Sequence, residues 1–242
     1  MNISKHIITV NDITVQVVRK DIKNLHLAVY PPDGHVRVAV PLHVTDDNVR
    51  LAVISKLNWI KKQQSHFQTQ VRQSQREMIS GESHYFWGQR YRLEVVERWG
   101  RHAVEIKNNS WLHLYVNPNT NQANREKVMN EWYRSEIRKH VPGLIVKWEP
   151  IIGEQIAEWS IKKMKTKWGS CMIDARCIWV NLELAKKPPE CLEYILVHEM
   201  VHLIEQHHND NFRALMDRFM PSWQLYRDIL NRSPLAHEDW VY

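Results

Sequence analysis

Residues 190–212, ECLEYILVHEMVHLIEQHHNDNF, hold the pattern His198-Glu199-Met200-Val201-His202 within an apolar run. Histidines four residues apart stand just over one helical turn from each other, so a helix projects both imidazoles from one face. Two ring nitrogens so placed can share one zinc ion, and Glu199 beside them is positioned to take a proton from an activated water. Leu192, Ile195, Leu196, Val197, Val201, Leu203 and Ile204 surround the motif. The stretch therefore reads as a buried helix whose polar groups are those that zinc chemistry needs, with water admitted through a cleft.

A cation on two histidines calls for a third protein ligand. His208 lies six residues after His202, and His207, Glu205 and Asp210 are close by. Six residues also separate the second and third histidines in H-E-x-x-H-x-x-G-x-x-H, the metzincin pattern, but Glu205 stands at its glycine, which speaks against a metzincin. The competing reading is a helix with solvated histidines at its end.

Upstream of the helix, residues 157–185 read as a strand pair. Trp159, Ile161 and Met164 lie in a lysine-rich strand, Met172 to Arg176 form the turn, and Cys177 to Leu184 return. From Lys167 to Phe212 the chain resembles the YgjP-like metallopeptidases, relatives of the SprT and Wss protease domains. The landmarks are Trp168-Gly169-Ser170-Cys171, the strand Ile178 to Leu184, Pro188-Pro189 opening the helix, His198 to Leu203, His208 and Phe212. The resemblance implies His208, not His207, as the third zinc ligand beside His198 and His202, with the fourth position open. It also suggests the strand of Trp168, Gly169, Ser170 and Cys171 as the edge that pairs with an extended peptide substrate. A packing strand with Trp168 in the core is the alternative. The likeness continues more weakly over the rest of the chain.

Further out, residues 7–43 read as strands: ITVNDITVQVVRK turns at Asn11-Asp12, LHLAVY leads into Pro31-Pro32-Asp33-Gly34, and HVRVAVPL alternates. Thr45 is a good N-cap, with Asp46 and Asp47 in the first turn of a helix that carries Val49, Val53, Leu57 and Ile60. The polar tail from Lys61 to Glu77 fits an exposed helix or a linker. Strands return over residues 81–116, with turns at Gly88-Gln89 and Asn108-Asn109. A helix then runs from Asn124 to Val141, a second starts near Pro142, and a last one covers Ser222 to about Asn231. No internal repeat is legible. The expected fold is α+β: an N-terminal β-rich domain with a helix over residues 1–117, then a zincin-like domain over 118–242 with its HExxH helix and adjacent β-hairpin.

Composition narrows the classes. At 242 residues, 43% hydrophobic and 25% charged, this is an ordinary globular composition. No apolar run approaches the roughly eighteen residues of a spanning helix, so no membrane partner is expected. The N-terminus lacks the pattern of a signal peptide, and three cysteines, Cys171, Cys177 and Cys191, are too few for a disulfide scaffold; both point to a cytoplasmic protein. Lys and Arg outnumber Asp and Glu by 33 to 27, and Lys162, Lys163, Lys165 and Lys167 cluster near the expected cleft. Such charge attracts nucleic acid or acidic partners, or is simply solvated.

The leading expectation is a zinc (Zn2+) peptidase acting on peptide or protein substrates, with Glu199 as general base. The alternative is a nucleic-acid-associated protein, such as a protease for proteins crosslinked to DNA. Against that stands the lack of any zinc-finger spacing or recognition-helix signature. A closed structural zinc site would need Glu205, His207 or Asp210 as the fourth ligand.

Overall fold

The computed structural model describes residues 4–30, 34–69, 76–164 and 167–232. The expected turn residues Pro31, Pro32 and Asp33, together with Lys165 and the group His237, Glu238 and Asp239, lie outside the described residues. The architecture is mixed α and β, and the chain divides between residues 72 and 73 into two compact units.

In the first unit, strands β1 (Ser4–Val10), β2 (Ile13–Lys20), β3 (His26–Tyr30) and β4 (His35–Pro41) form a sheet in the order β1-β2-β4-β3. Asn11, at φ 54°, makes the tight turn between the first two. Alternation does the rest: Val15, Val17, Val36, Val38 and Val40 all point inward with no exposed surface. Helix α1 (Asp46–Ser55) begins where Thr45 accepts a hydrogen bond from Asn48 N. It buries Val49 and Val53 on the valine face, and α2 (Leu57–Thr69) adds Ile60. The polar tail after Lys61 is thus helix as far as Thr69.

The second unit opens with the same plan. Strands β5 (Ser83–Phe86), β6 (Gln89–Glu97), β7 (Ala103–Lys107) and β8 (Trp111–Val116) take the order β5-β6-β8-β7. In both sheets the three pairings run antiparallel, parallel, antiparallel. The chain therefore does contain a repeated topology. It escapes the sequence because a sheet demands only alternation and turn residues, which different side chains satisfy equally.

Helix α3 (Gln122–Ile152) is one continuous element of 31 residues, with Pro142 and Pro150 inside it. The expected break at Pro142 does not occur. Met129, Tyr133, Ile137, Val141, Trp148 and Ile152 form one buried stripe across that point, so packing outweighs the hydrogen bond a proline forfeits. The stripe lies on the β5–β8 sheet, burying Leu93, Leu112 and Leu114 in a single core. The division expected at Asn117 therefore falls inside the second unit: β5–β8 share their core with α3 and the elements that follow, not with β1–β4.

Strands β9 (Glu158–Lys162), β10 (Gly169–Met172) and β11 (Cys177–Asn181) make a third sheet, in the order β10-β11-β9. Hence β9 is not the hairpin partner of β11 but its parallel neighbour; β10 and β11 pair antiparallel. The return strand stops at Asn181, and Leu182–Lys186 wind into a 3-10 turn. Three helices close the unit: α4 (Pro189–Val201), α5 (Asp210–Phe219) and α6 (Trp223–Arg232). The first sheet of the unit sets where α4 begins. Trp87 N donates to Ala185 O at 2.9 Å, and a Cβ on Gly88 (φ 79°) would strike Pro188 at 2.9–3.2 Å.

Candidate metal centre

Helix α4 is almost wholly buried, from Cys191 through Val201, and it packs against α3, β10, β11, α5 and α6. Pro189 stands in its first turn, where a missing N–H is harmless. His198 lies in its last turn and His202 is its C-cap. The chain then folds back sharply, with Ile204 N and Glu205 N both donating to Val201 O. Glu205 holds this loop together. Its carboxylate accepts from His207 N at 3.0 Å and Asn211 Nδ2 at 3.2 Å, and its carbonyl receives His202 Nδ1 at 3.1 Å. Asn209 caps α5 by accepting from Phe212 N at 2.9 Å, which returns His208 to the end of α4.

Three imidazoles converge there. One ring nitrogen from each of His198, His202 and His208 lies within 4.8 Å of the others, the sole such group of three among the described residues. His207, Glu205 and Asp210 are not part of it. Phe212 packs against all three rings, with centroids 4.7–4.9 Å away.

The protonation states suit cation binding. A carbonyl can only accept, so His202 carries its proton on Nδ1 and turns the lone pair of Nε2 toward the cluster. Burial, and then its two histidine neighbours, pushes His198 down to about 3. Burial lowers His202 as well. His198 Nε2 and His208 Nε2 stand 2.9 Å apart. Two neutral acceptors repel at that distance unless a proton or a cation lies between them, so the donor set fits a metal ion. His198 Nδ1 is buried without a hydrogen-bond partner among the described residues, so no protein group fixes its tautomer.

Glu199, the next residue along α4, reaches into the gap between α4 and β10. It is 6% exposed, and burial pushes its carboxyl up to about 8, against the ionised form's two supports, the Lys167 ammonium and the Cys171 N–H. Gly169 allows this approach: a Cβ there would lie 2.6 Å from Glu199 Oε1 and 2.8 Å from Ile195 Cγ2. Asn181 secures the segment leading into β10. It donates from Nδ2 to Met164 O and Lys167 O, each at 2.7 Å, and from its N–H to Trp168 O at 2.8 Å.

A cavity of about 490 Å³ opens over these groups, with α4 as its floor and β10 and α6 along its sides. Trp168, Gly169, Ser170 and Cys171 all line it, as do the three histidines and Glu199. A family model described as YgjP-like, metallopeptidase domain, matches residues 23–233.

The chain belongs to the YgjP-like metallopeptidase family.

Membership implies a metal, and the His198, His202 and His208 triad of this YgjP-like chain could bind one. Among solved structures, the metallopeptidase zymogen of Pyrococcus abyssi abylysin is similar at 22% identity, covering 38% of this chain and 90% of that one, with a TM-score of 0.34. No curated protein matches the sequence. Among the described residues, no helix is long and apolar enough to cross a membrane.

The remaining expectations meet mixed outcomes. Trp168 is half-buried and belongs both to the cavity wall and to the fringe of the core, so its two readings coexist. Burial raises Cys171 and Cys191 to about 11, which keeps both as thiols. Among the described lysines of the cluster, Lys162 lies over Trp179 at 3.3 Å, Lys163 pairs with Glu126 at 3.1 Å, and Lys167 alone lines the cavity. Sequence reasoning missed Glu205's part in the loop, Asn181, and the α6 wall of Arg227, Leu230 and Asn231. One signal was available for the last. Arg227 interrupts, at helical spacing, an apolar stripe of Trp223 and Leu230.

Proposed function

We propose that this chain is a zinc-dependent peptidase of the HExxH type, within a zincin-like catalytic unit. His198, His202 and His208 hold the metal, Glu199 is the general base, and peptides or proteins are the substrates. The observation that carries this reading is the convergence of three imidazole rings and one buried carboxyl group on a single cavity. A zinc ion held there supplies a Lewis acid that activates water and polarises the scissile carbonyl. Glu199 takes the proton of the attacking water and returns it to the departing amine. Lys167 and the Cys171 N–H favour its ionised form, while burial favours the protonated form, so the carboxyl is balanced for both halves of that transfer. Tyr194, a buried phenol that lines the cavity with its proton retained, is a donor available to the developing oxyanion.

The substrate lies extended along β10, the edge of its sheet. Trp168 O faces β11, where it accepts from Asn181 N, so by alternation Gly169 and Cys171 turn their backbone groups outward. The Cys171 N–H is committed to Glu199, which leaves Gly169 N–H and the two carbonyls for pairing.

Glu199→Gln keeps the metal and loses hydrolysis of a peptide library by about 10²–10⁴-fold. His208→Ala loses metal and activity together. Metal content by elemental analysis beside peptide cleavage is the measurement. Full activity in Glu199→Gln, or full metal retention in His208→Ala, would overturn the assignment. The nucleic-acid-associated alternative is not favoured by the family match.

A further inference from the structure

The α6 side of the cavity carries a cation that the chemistry above does not use. Arg227 lines the cavity with Tyr194 and the histidines, and its charge is felt at the Tyr194 phenol. Tyr194 in turn meets His198 edge-on at 5.8 Å. The guanidinium lies over the Trp223 ring, 4.9 Å from its centre, and among the described residues its carboxylate partner is the adjacent Asp228, at 3.5 Å. Lys167 stands on the β10 side of the same space. Against these two cations, Glu199 is the only carboxylate among the described lining residues, and it sits in the floor. The mouth is therefore positive on both sides of the path a substrate takes.

From this we infer that Arg227, assisted by Lys167, selects peptides carrying a carboxylate close to the scissile bond. That group is either an acidic side chain or the C-terminal carboxylate. Arg227 is the specificity-determining residue, because a guanidinium over an aromatic ring offers a planar fork that can meet a carboxylate with two hydrogen bonds, whereas the Lys167 ammonium is a point charge. This inference rests on the peptidase reading for the nature of the ligand.

The test uses four fluorescent peptides of one core sequence: internal Glu against Gln, and free C-terminus against C-terminal amide. Equilibrium binding is read by anisotropy on the zinc-loaded Glu199→Gln protein, and KM and kcat are read on zinc-loaded wild type. Peptides with the carboxylate bind about fivefold tighter than their neutral counterparts, in KM and not in kcat, a preference that weakens with added salt. Adding Arg227→Gln brings the binding ratio close to one, while Arg227→Lys, which keeps the charge without the fork, retains part of it. Whichever pair shows the preference identifies the source of the carboxylate. Equal binding of both members in each pair, or a ratio that survives Arg227→Gln, overturns the inference. If wild type cleaves none of the peptides, the peptidase reading fails, and the binding ratio still decides the role of Arg227.

Discussion

Gly169→Ala adds one methyl group at the tightest point of the cleft. Gly169 has an ordinary backbone conformation, so the effect comes from space alone. The new Cβ would lie 2.6 Å from Glu199 Oε1, 2.8 Å from Glu199 Cγ and 2.8 Å from Ile195 Cγ2, where ordinary contact begins at 3.4 Å. Either β10 lifts off α4 or the two side chains give way by roughly 0.6–0.8 Å, a large step on the repulsive wall. Ile195 is stiff at χ1 and Glu199 is buried, so neither has room to swing clear. Overpacking of this kind costs about 1–3 kcal/mol, offset by about 0.4–1 kcal/mol from the lower entropy of the unfolded chain. The net loss is about 1–2 kcal/mol, or a fall in Tm of roughly 2–8 °C for a unit of this size. Moving the base by most of an ångström lowers kcat by about ten- to a hundredfold. Metal content stays at the wild-type level, because the methyl group faces Glu199 and not the histidines. Gly143→Ala is the matched control. That glycine is exposed within α3 with nothing inside 4 Å, so alanine there raises stability by about 0.5–1 kcal/mol. Thermal unfolding, metal analysis and peptide cleavage on both variants form the assay. A Gly169→Ala protein with unchanged Tm and activity, or one indistinguishable from Gly143→Ala, would refute the reasoning.

Other sites give equally direct outcomes. Burial holds His84 down to about 4 against the pull of Glu82 at 3.2 Å, so the unfolded chain binds the extra proton between about pH 6.5 and 4. Up to about 3 kcal/mol of stability, complete above pH 6.5, is therefore lost as pH falls through that window, and urea titrations at pH 7 and 5 show a smaller loss in His84→Gln. Asn181→Ala removes the donor to the part-buried carbonyls of Met164 and Lys167 and destabilises by about 1–3 kcal/mol in urea unfolding, a loss that an unchanged midpoint would contradict. Glu205→Ala frees the loop that returns His208 and weakens metal affinity about 10–100-fold in a competition titration with a chelator. Native affinity in that variant would mean the loop is held some other way.

Much of this is legible in the sequence. The valine alternation of residues 36–40, the Thr45 cap and the turns at Asn11 and Asn108-Asn109 are local signals, and each element formed where its signal stood. Errors arose where tertiary packing overrode a local rule. Pro142 breaks a helix in isolation, yet α3 runs through it because its buried stripe is continuous on both sides. The stretch before the turn at Met172–Arg176 reads as one strand of a pair, but only β10 forms the antiparallel partner of β11, and β9 pairs with β11 from the other side and in parallel. The division at Asn117 followed a cluster of turn formers, which marks a loop and says nothing of which cores lie on either side.

For the site, the sequence alone singled out the residues to which the proposed chemistry is assigned. A four-residue spacing on a helix puts His198 and His202 on one face with Glu199 beside them, while the choice of His208 over His207, Glu205 and Asp210 came from the resemblance to the YgjP-like family. Only the tertiary structure decided what surrounds them. Glu205 closing the loop, Gly169 making way for Glu199, Asn181 holding the segment before β10, and Arg227 facing the cavity from α6 are relations between residues far apart along the chain or held by a specific loop path. Helical periodicity fixes a side chain relative to its own helix. What that side chain meets depends on the packing of every other element, which no local pattern encodes.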